Sequence, residues 1–141
     1  MARLVPYIFS EDARSQAQFY VDALGGELLS VMTFGDVPGT PEALKEKIMH
    51  LHLVAGGITI LMSDSPSRQI VRGNGTALSL LFDTPEEAHA AFDKLSAGGN
   101  VQDPLKQQFW GALFGVLQDK YGVEWQVSTE QQQQQQQQQQ G

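Results

Sequence analysis

The chain has 141 residues and carries 16 acidic against 9 basic side chains, a net charge of −7. That balance argues against nucleic acid or an anionic membrane as partner, because both select a basic patch. There is no cysteine, which removes disulfides and thiolate chemistry. The length favours one domain, and the stretch before the C-terminal glutamines is long enough for an ordinary hydrophobic core. Met1 to Phe9 is too short and too strand-like for a secretory signal, and no apolar run is long enough to span a bilayer. A cytoplasmic setting is expected.

The first predicted strand is Leu4 to Phe9, with Pro6 marking either an edge position or a strand that lacks one ladder bond. Ser10-Glu11-Asp12 starts a helix, capped by Ser10 or Asp12. Ala13, Ala17, Tyr20 and Leu24 recur at helical spacing, with Phe19 and Ala23 widening the stripe, and Gly25-Gly26 ends it. A strand follows from Glu27 to Phe34, then a loop, then a short helix start at Thr40-Pro41-Glu42. Ile48 to Val54 and Ile58 to Ser63 read as two strands joined through Ala55-Gly56-Gly57. Asp64 to Gly75 is polar and punctuated by Pro66, Gly73 and Gly75, which predicts a linker.

The order then repeats. Thr76 to Asp83 is a strand. Thr84-Pro85-Glu86-Glu87 is a capping box with proline at the first helical position. Ala88, Ala91, Phe92 and Leu95 form the apolar stripe, and Gly98-Gly99 closes the helix. Val101 to Pro104 is a short strand. Phe109 to Leu117 and Val123 to Val127 are rich in aromatic and branched residues and read as a hairpin around Asp119-Lys120-Tyr121-Gly122. Gly111 and Gly115 would share one face of that first strand, where either tight packing or a ligand approaches the backbone. Both halves read strand–helix–strand–strand–strand, an internal duplication. Residues 131–140 are all glutamine, ending in Gly141, and are expected to have no part in the fold.

Strand alternation sorts the side chains into faces. Ile8, Leu51, Leu53, Ile60, Met62, Trp125 and Val127 belong to an apolar face that should carry the helices. Tyr7, Phe9, His50, His52, Thr59, Leu61, Glu124 and Gln126 belong to a mixed face, the composition of a small-molecule pocket. His50 and His52 point the same way from one strand. They either hydrogen-bond and line a pocket or, with Glu124, supply two imidazoles and a carboxylate for a divalent metal. No Ser-His-Asp set, phosphate loop or cysteine nucleophile is present.

The run from Phe109 to Gly115, with Asp119, Gly122 and Trp125, resembles the C-terminal signature of the PhnB-like branch of the glyoxalase/bleomycin-resistance (vicinal-oxygen-chelate) superfamily. Lys47-Ile48-Met49-His50 and Asp64-Ser65-Pro66 are similar to two further marks of that branch, and the resemblance spans Arg3 to about Thr129. It implies an α+β fold of two βαβββ modules curling into a glyoxalase-like open cup. A single domain over residues 1–130 would hold a first module of about 1–66, a linker 67–75 and a second module of about 76–130, with a polyglutamine tail at 131–141. It also implies a homodimer.

Metal enzymes of the superfamily carry one ligand on the first and one on the last strand of each module. The aligned positions here are Val5, Leu61, Ala77 and Gln126, which do not form a ligand set. The reading that results is a small-molecule-binding protein without the usual metal, sequestering an aromatic metabolite or antibiotic. Tyr7, His50, His52, Phe109, Trp110, Glu124 and Gln126 would line its ligand site. No cofactor is expected. The alternative is a lyase, isomerase or oxygenase using His50 and His52, with or without a divalent metal. The demethylubiquinone methyltransferase label that such relatives carry finds no support, because Gly73-Asn74-Gly75 precedes a strand instead of following one.

Overall fold

Capping chemistry sets where each helix begins. In the computed structural model, which describes residues 1–130, strand β1 (Tyr7–Ser10) leads into helix α1 (Ala13–Leu24). The Asp12 carboxylate accepts from the Ser15 amide, and Ser10 Oγ accepts from the Asp12 amide. Asp12 is therefore the cap, and Ser10 holds Asp12 in place. Gly25 ends the helix with φ 78°, and Gly26 already belongs to β2 (Gly26–Thr33). A Cβ on Gly26 would fall on the Val54 carbonyl, so only glycine fits there. Two 3-10 turns, Phe34–Asp36 and Glu42–Leu44, bridge to β3 (Ile48–Ala55) and β4 (Ile58–Asp64). Pro41 precedes the second turn as its cap and does not open it.

The second half begins with β5 (Leu78–Phe82) and helix α2 (Pro85–Leu95), followed by β6 (Asn100–Gln107), β7 (Leu113–Gln118) and β8 (Glu124–Thr129). Thr84 Oγ1 accepts from the Glu87 amide and lies 3.0 Å from the Glu87 carboxylate. The returning bond of this capping box thus goes to the cap hydroxyl. The βαβββ order occurs twice, giving an α+β fold with two four-stranded mixed sheets ordered β1-β4-β3-β2 and β5-β8-β7-β6. In each, the first strand runs parallel to the last and the other pairs are antiparallel. The chain divides into two compact units, Met1–Val71 and the residues from Arg72 onward. The tail at 131–141 lies outside the described residues.

Each helix covers one face of its own sheet. Ala13, Gln16, Ala17, Tyr20 and Ala23 are buried on α1, against Ile8, Leu51, Leu53, Ile60 and Met62. Ala88, Ala91, Phe92 and Leu95 are buried on α2, against Leu80, Leu117, Trp125 and Val127. Leu24 and Phe19, expected in the first stripe, are only half-buried, and Gln16 replaces them. Its amide reaches the Tyr20 hydroxyl at 2.7 Å, so a polar pair sits inside that layer. Gly115 lies under α2: an added Cβ would come within 2.8 Å of both Phe92 and the Leu105 backbone. Tight packing accounts for that glycine.

Three boundaries differ from the sequence reading by three residues or more. The first strand opens at Tyr7 and not at Leu4, although the Pro6 carbonyl still accepts from the Leu61 amide. The sixth strand is twice the expected length, because Pro104 sits in an irregular stretch of an edge strand where its missing N–H costs no ladder bond. The seventh strand starts only at Leu113. Phe109-Trp110-Gly111 forms a turn, with the Gly111 amide bonded to the Gln108 carbonyl and φ at Gly111 of 96°. Gly111 and Gly115 therefore do not share a strand face.

The β7–β8 hairpin closes on one side chain. Asp119 is 3% exposed, and its Oδ1 accepts from the Tyr121 and Val123 amides while its Oδ2 accepts from the Trp125 indole N–H at 2.8 Å. Gly122 completes the loop at φ 89°. Replacing Asp119 by Ala strands these buried donors, each costing on the order of 1–3 kcal/mol. Urea unfolding of Asp119→Ala is expected to show a loss of roughly 2–4 kcal/mol, with Asp119→Asn between it and the parent chain.

Candidate functional site

Register decides which side chains share the face left uncovered by each helix. In the first unit, Tyr7 lies opposite Leu61, Leu61 opposite His52, and His52 opposite Ser30. The next row places Phe9 opposite Ser63 and His50 opposite Met32. Tyr7 and Phe9 remain 43% and 41% exposed while Ile8 between them is buried, as alternation requires. Their rings lie 5.2 Å apart, and the His50 ring lies 6.0 Å from Tyr7. The Arg68 guanidinium sits 4.8 Å from the centre of the Phe9 ring. Tyr7, His50 and His52 are thus brought onto one face of one sheet.

Two buried side-chain atoms among the described residues lack a hydrogen-bond partner, Gln16 Oε1 on α1 and the ring nitrogen Nε2 of His52. A buried imidazole nitrogen normally has one, and leaving it without costs about 1–3 kcal/mol. Sequence pattern placed His52 on this face but carried no sign of the missing partner.

In the second unit, Gln126 lies opposite Ser79 on one side and Val116 on the other, and Glu124 lies opposite Gln118. Phe114 shares that face through its pairing with Ser128. The turn carrying Phe109 and Trp110 stacks edge-on above it: the two rings are 4.9 Å apart, and Trp110 lies 6.4 Å from Phe114. Trp110 therefore meets the face from a turn and not from a strand, while Phe109 is 92% exposed. Phe114, Ser79 and Arg68 were missed. The cue for Phe114 is its alternation with Gly115, which the longer predicted strand also contains.

The four positions that the resemblance aligns with metal ligands are Val5, Leu61, Ala77 and Gln126. Leu61 and Gln126 face Tyr7 and Ser79 across the parallel pairs, and Val5 and Ala77 precede the first residues of their strands. None of these positions carries a carboxylate or imidazole. Among the described residues, no group of three or more His, Cys, Asp or Glu is placed to hold a metal ion. His89, on α2, is exposed.

A polar pit of about 340 Å³ opens at the start of α1, lined in part by Glu11, Arg14, Lys47 and Asp64. Its deepest carboxylate is already committed: Asp64 accepts from the Ala13 amide at 2.8 Å and the Ile48 amide at 2.7 Å. None of the expected site residues lines it. Among the described residues, no helix is long and apolar enough to cross a membrane.

The Nε2 of His52 yields a direct expectation. His52→Leu keeps the bulk and removes the orphaned nitrogen, so thermal unfolding should show a rise in stability of about 1 kcal/mol, a few degrees in midpoint. A drop in midpoint would mean that the nitrogen is satisfied in solution.

Comparison with known proteins agrees with this architecture. Residues 2–127 match the model of the Glyoxalase/Bleomycin resistance protein/Dioxygenase superfamily. The chain is 30% identical over 138 residues to protein YjdN of Escherichia coli (strain K12), covering 89% of this chain and 94% of that one. It resembles the crystal structure of protein PA1353 from Pseudomonas aeruginosa with a TM-score of 0.81 and 37% identity, covering 92% and 98% of the two chains. A PhnB protein from Bacillus cereus, named as a 3-demethylubiquinone-9 3-methyltransferase, shares the fold at a TM-score of 0.76 and 24% identity, covering 92% and 100%. With two βαβββ units and a family match across nearly all the described residues, this chain belongs to the glyoxalase/bleomycin resistance protein/dioxygenase superfamily.

Proposed function

We propose that the protein binds a small aromatic molecule on the mixed faces of its sheets without a metal ion of its own. The observation that carries this reading is the pair of exposed rings, Tyr7 and Phe9, on one sheet face with the His50 imidazole 6.0 Å from Tyr7. Exposed rings beside imidazoles on one sheet face are the apolar surface and polar groups that a small aromatic ligand takes up. Tyr7 and Phe9 offer stacking surface, and His50 and His52 offer orienting hydrogen bonds. Trp110 with Phe114, and Glu124 with Gln126, supply comparable groups in the second unit. Sequestration of an aromatic metabolite or antibiotic is the biological form we favour.

The methyltransferase name of the Bacillus cereus relative does not transfer on this basis. A methyl-donor site of the common kind needs a glycine-rich turn between a parallel strand and a helix. Here Ser10-Glu11-Asp12 joins β1 to α1, and Asp83-Thr84 joins β5 to α2.

The test is a thermal-shift screen of the full chain against aromatic metabolites and antibiotics. A ligand present at a hundred times its Kd adds about 2.7 kcal/mol, a shift of several degrees. Tyr7→Ala and His52→Leu should each weaken the response to a hit at least several-fold. If no compound shifts the midpoint, the binding reading fails. Mass spectrometry of incubated hits covers the catalytic alternative: a new product that disappears in His50→Ala would make the protein an enzyme acting through its histidines.

A further inference from the structure

Charge is distributed unevenly over the uncovered face of the first sheet. The chain has four arginines, Arg3, Arg14, Arg68 and Arg72, in a protein of net charge −7. Two of the four reach this face. Arg68 lies over the Phe9 ring at 4.8 Å, and Arg3 donates to the Thr59 hydroxyl at 3.3 Å. Neither of them takes part in the ion pair of Lys45 with Glu42. The strand positions of the face are otherwise aromatic, imidazole, hydroxyl or aliphatic. One carboxylate, Glu27, stands at its corner opposite Val54. A guanidinium stacked on an aromatic ring keeps its N–H fork free for an anion in the plane of the stack.

We infer that this face selects aromatic anions: an aryl ring seated on Tyr7 beside the Arg68-stacked Phe9, with its carboxylate held by Arg68. The inference rests on the binding reading above and adds the ligand's charge. Thr59 and Ser63 are four residues apart on β4, so the Arg3 and Arg68 ends of the face are separated by about 13 Å. A small aryl acid therefore engages one arginine, and Arg68 is the one beside the rings.

Three probes of one shape separate charge from shape: phenylacetate, 2-phenylethanol and 2-phenylethylamine, titrated calorimetrically into the full chain at low salt. Phenylacetate should bind roughly tenfold or more tightly than the amine, with the alcohol between. Arg68→Gln should bring phenylacetate down to the level of the alcohol and leave the alcohol unchanged. Arg68→Lys should retain part of the preference, since it keeps charge and loses the fork. The ¹⁵N signal of His52 Nε2 should move on binding in the parent chain, which places the event on this face. Equal affinity for all three probes, with that signal moving, overturns the anion preference and leaves aromatic binding standing. Binding of none of them also overturns the inference, while the wider screen decides the binding reading separately. An unchanged phenylacetate affinity in Arg68→Gln would remove Arg68 as the recognising group.

Discussion

A sheet has two faces, and each sheet here has one helix. That inequality shapes the molecule. Burying the side of β3, β4 and β1 that carries Leu51, Leu53, Ile60, Met62 and Ile8 uses the whole apolar stripe of α1. The same holds for Trp125, Val127, Leu117 and Leu80 beneath α2. Because strand side chains alternate, filling one face fixes the identity of the other. A one-residue slip in register would send His52 into the helix layer and Leu51 out of it. The core thus holds the uncovered face in position, and the groups on that face take their placement from packing they do not join.

The strand ends show how far the duplication extends into detail. The last residue but none of β4, Asp64, and its counterpart in β8, Thr129, each accept a backbone amide sixteen residues back, from Ile48 and Leu113. The two differ in one respect, and the helices explain it. Asp64 has a second oxygen, which takes the amide of Ala13 at the first position of α1. The first position of α2 is Pro85, which has no amide to give. One acceptor oxygen therefore suffices in the second unit, and Thr129 provides it. A carboxylate near a helix N-terminus is also favoured by the helix dipole, so each unit carries the group that its helix start requires.

Alternation made most of this legible from sequence. The capping residues Asp12 and Thr84, the α2 stripe and the sorting of Tyr7, His50 and His52 away from Leu51 and Met62 all follow from period and cap chemistry. The misreadings have a common origin in composition outweighing backbone. Phe109 and Trp110 look like strand residues, yet the positive φ at Gly111 turns the chain, leaving Phe109 exposed and Trp110 edge-on to Phe114. Gln16 is polar yet fully buried, its amide nitrogen donating to the Tyr20 hydroxyl while its Oε1 is left without a partner. The state of His52 Nε2 has no signature in sequence, because it depends on what fails to come near it.

The uncovered faces are also where the two units part company. Matching the rows from the strand ends, Phe9 opposite Ser63 corresponds to Leu81 opposite Ser128, and Tyr7 opposite Leu61 corresponds to Ser79 opposite Gln126. His52 then corresponds to Val116, since each faces the same position of its last strand. Stacking and imidazole groups on one unit stand where the other has small, aliphatic or amide groups. Beneath the helices the corresponding rows stay apolar in both, as with Ile8 opposite Met62 and Leu80 opposite Val127. A change beneath a helix alters a close-packed layer and costs stability by volume. A change on the uncovered face alters hydrogen bonding and charge with little packing to disturb. The pattern that lets the two halves share a fold is therefore the one that frees them to differ in what they recognise.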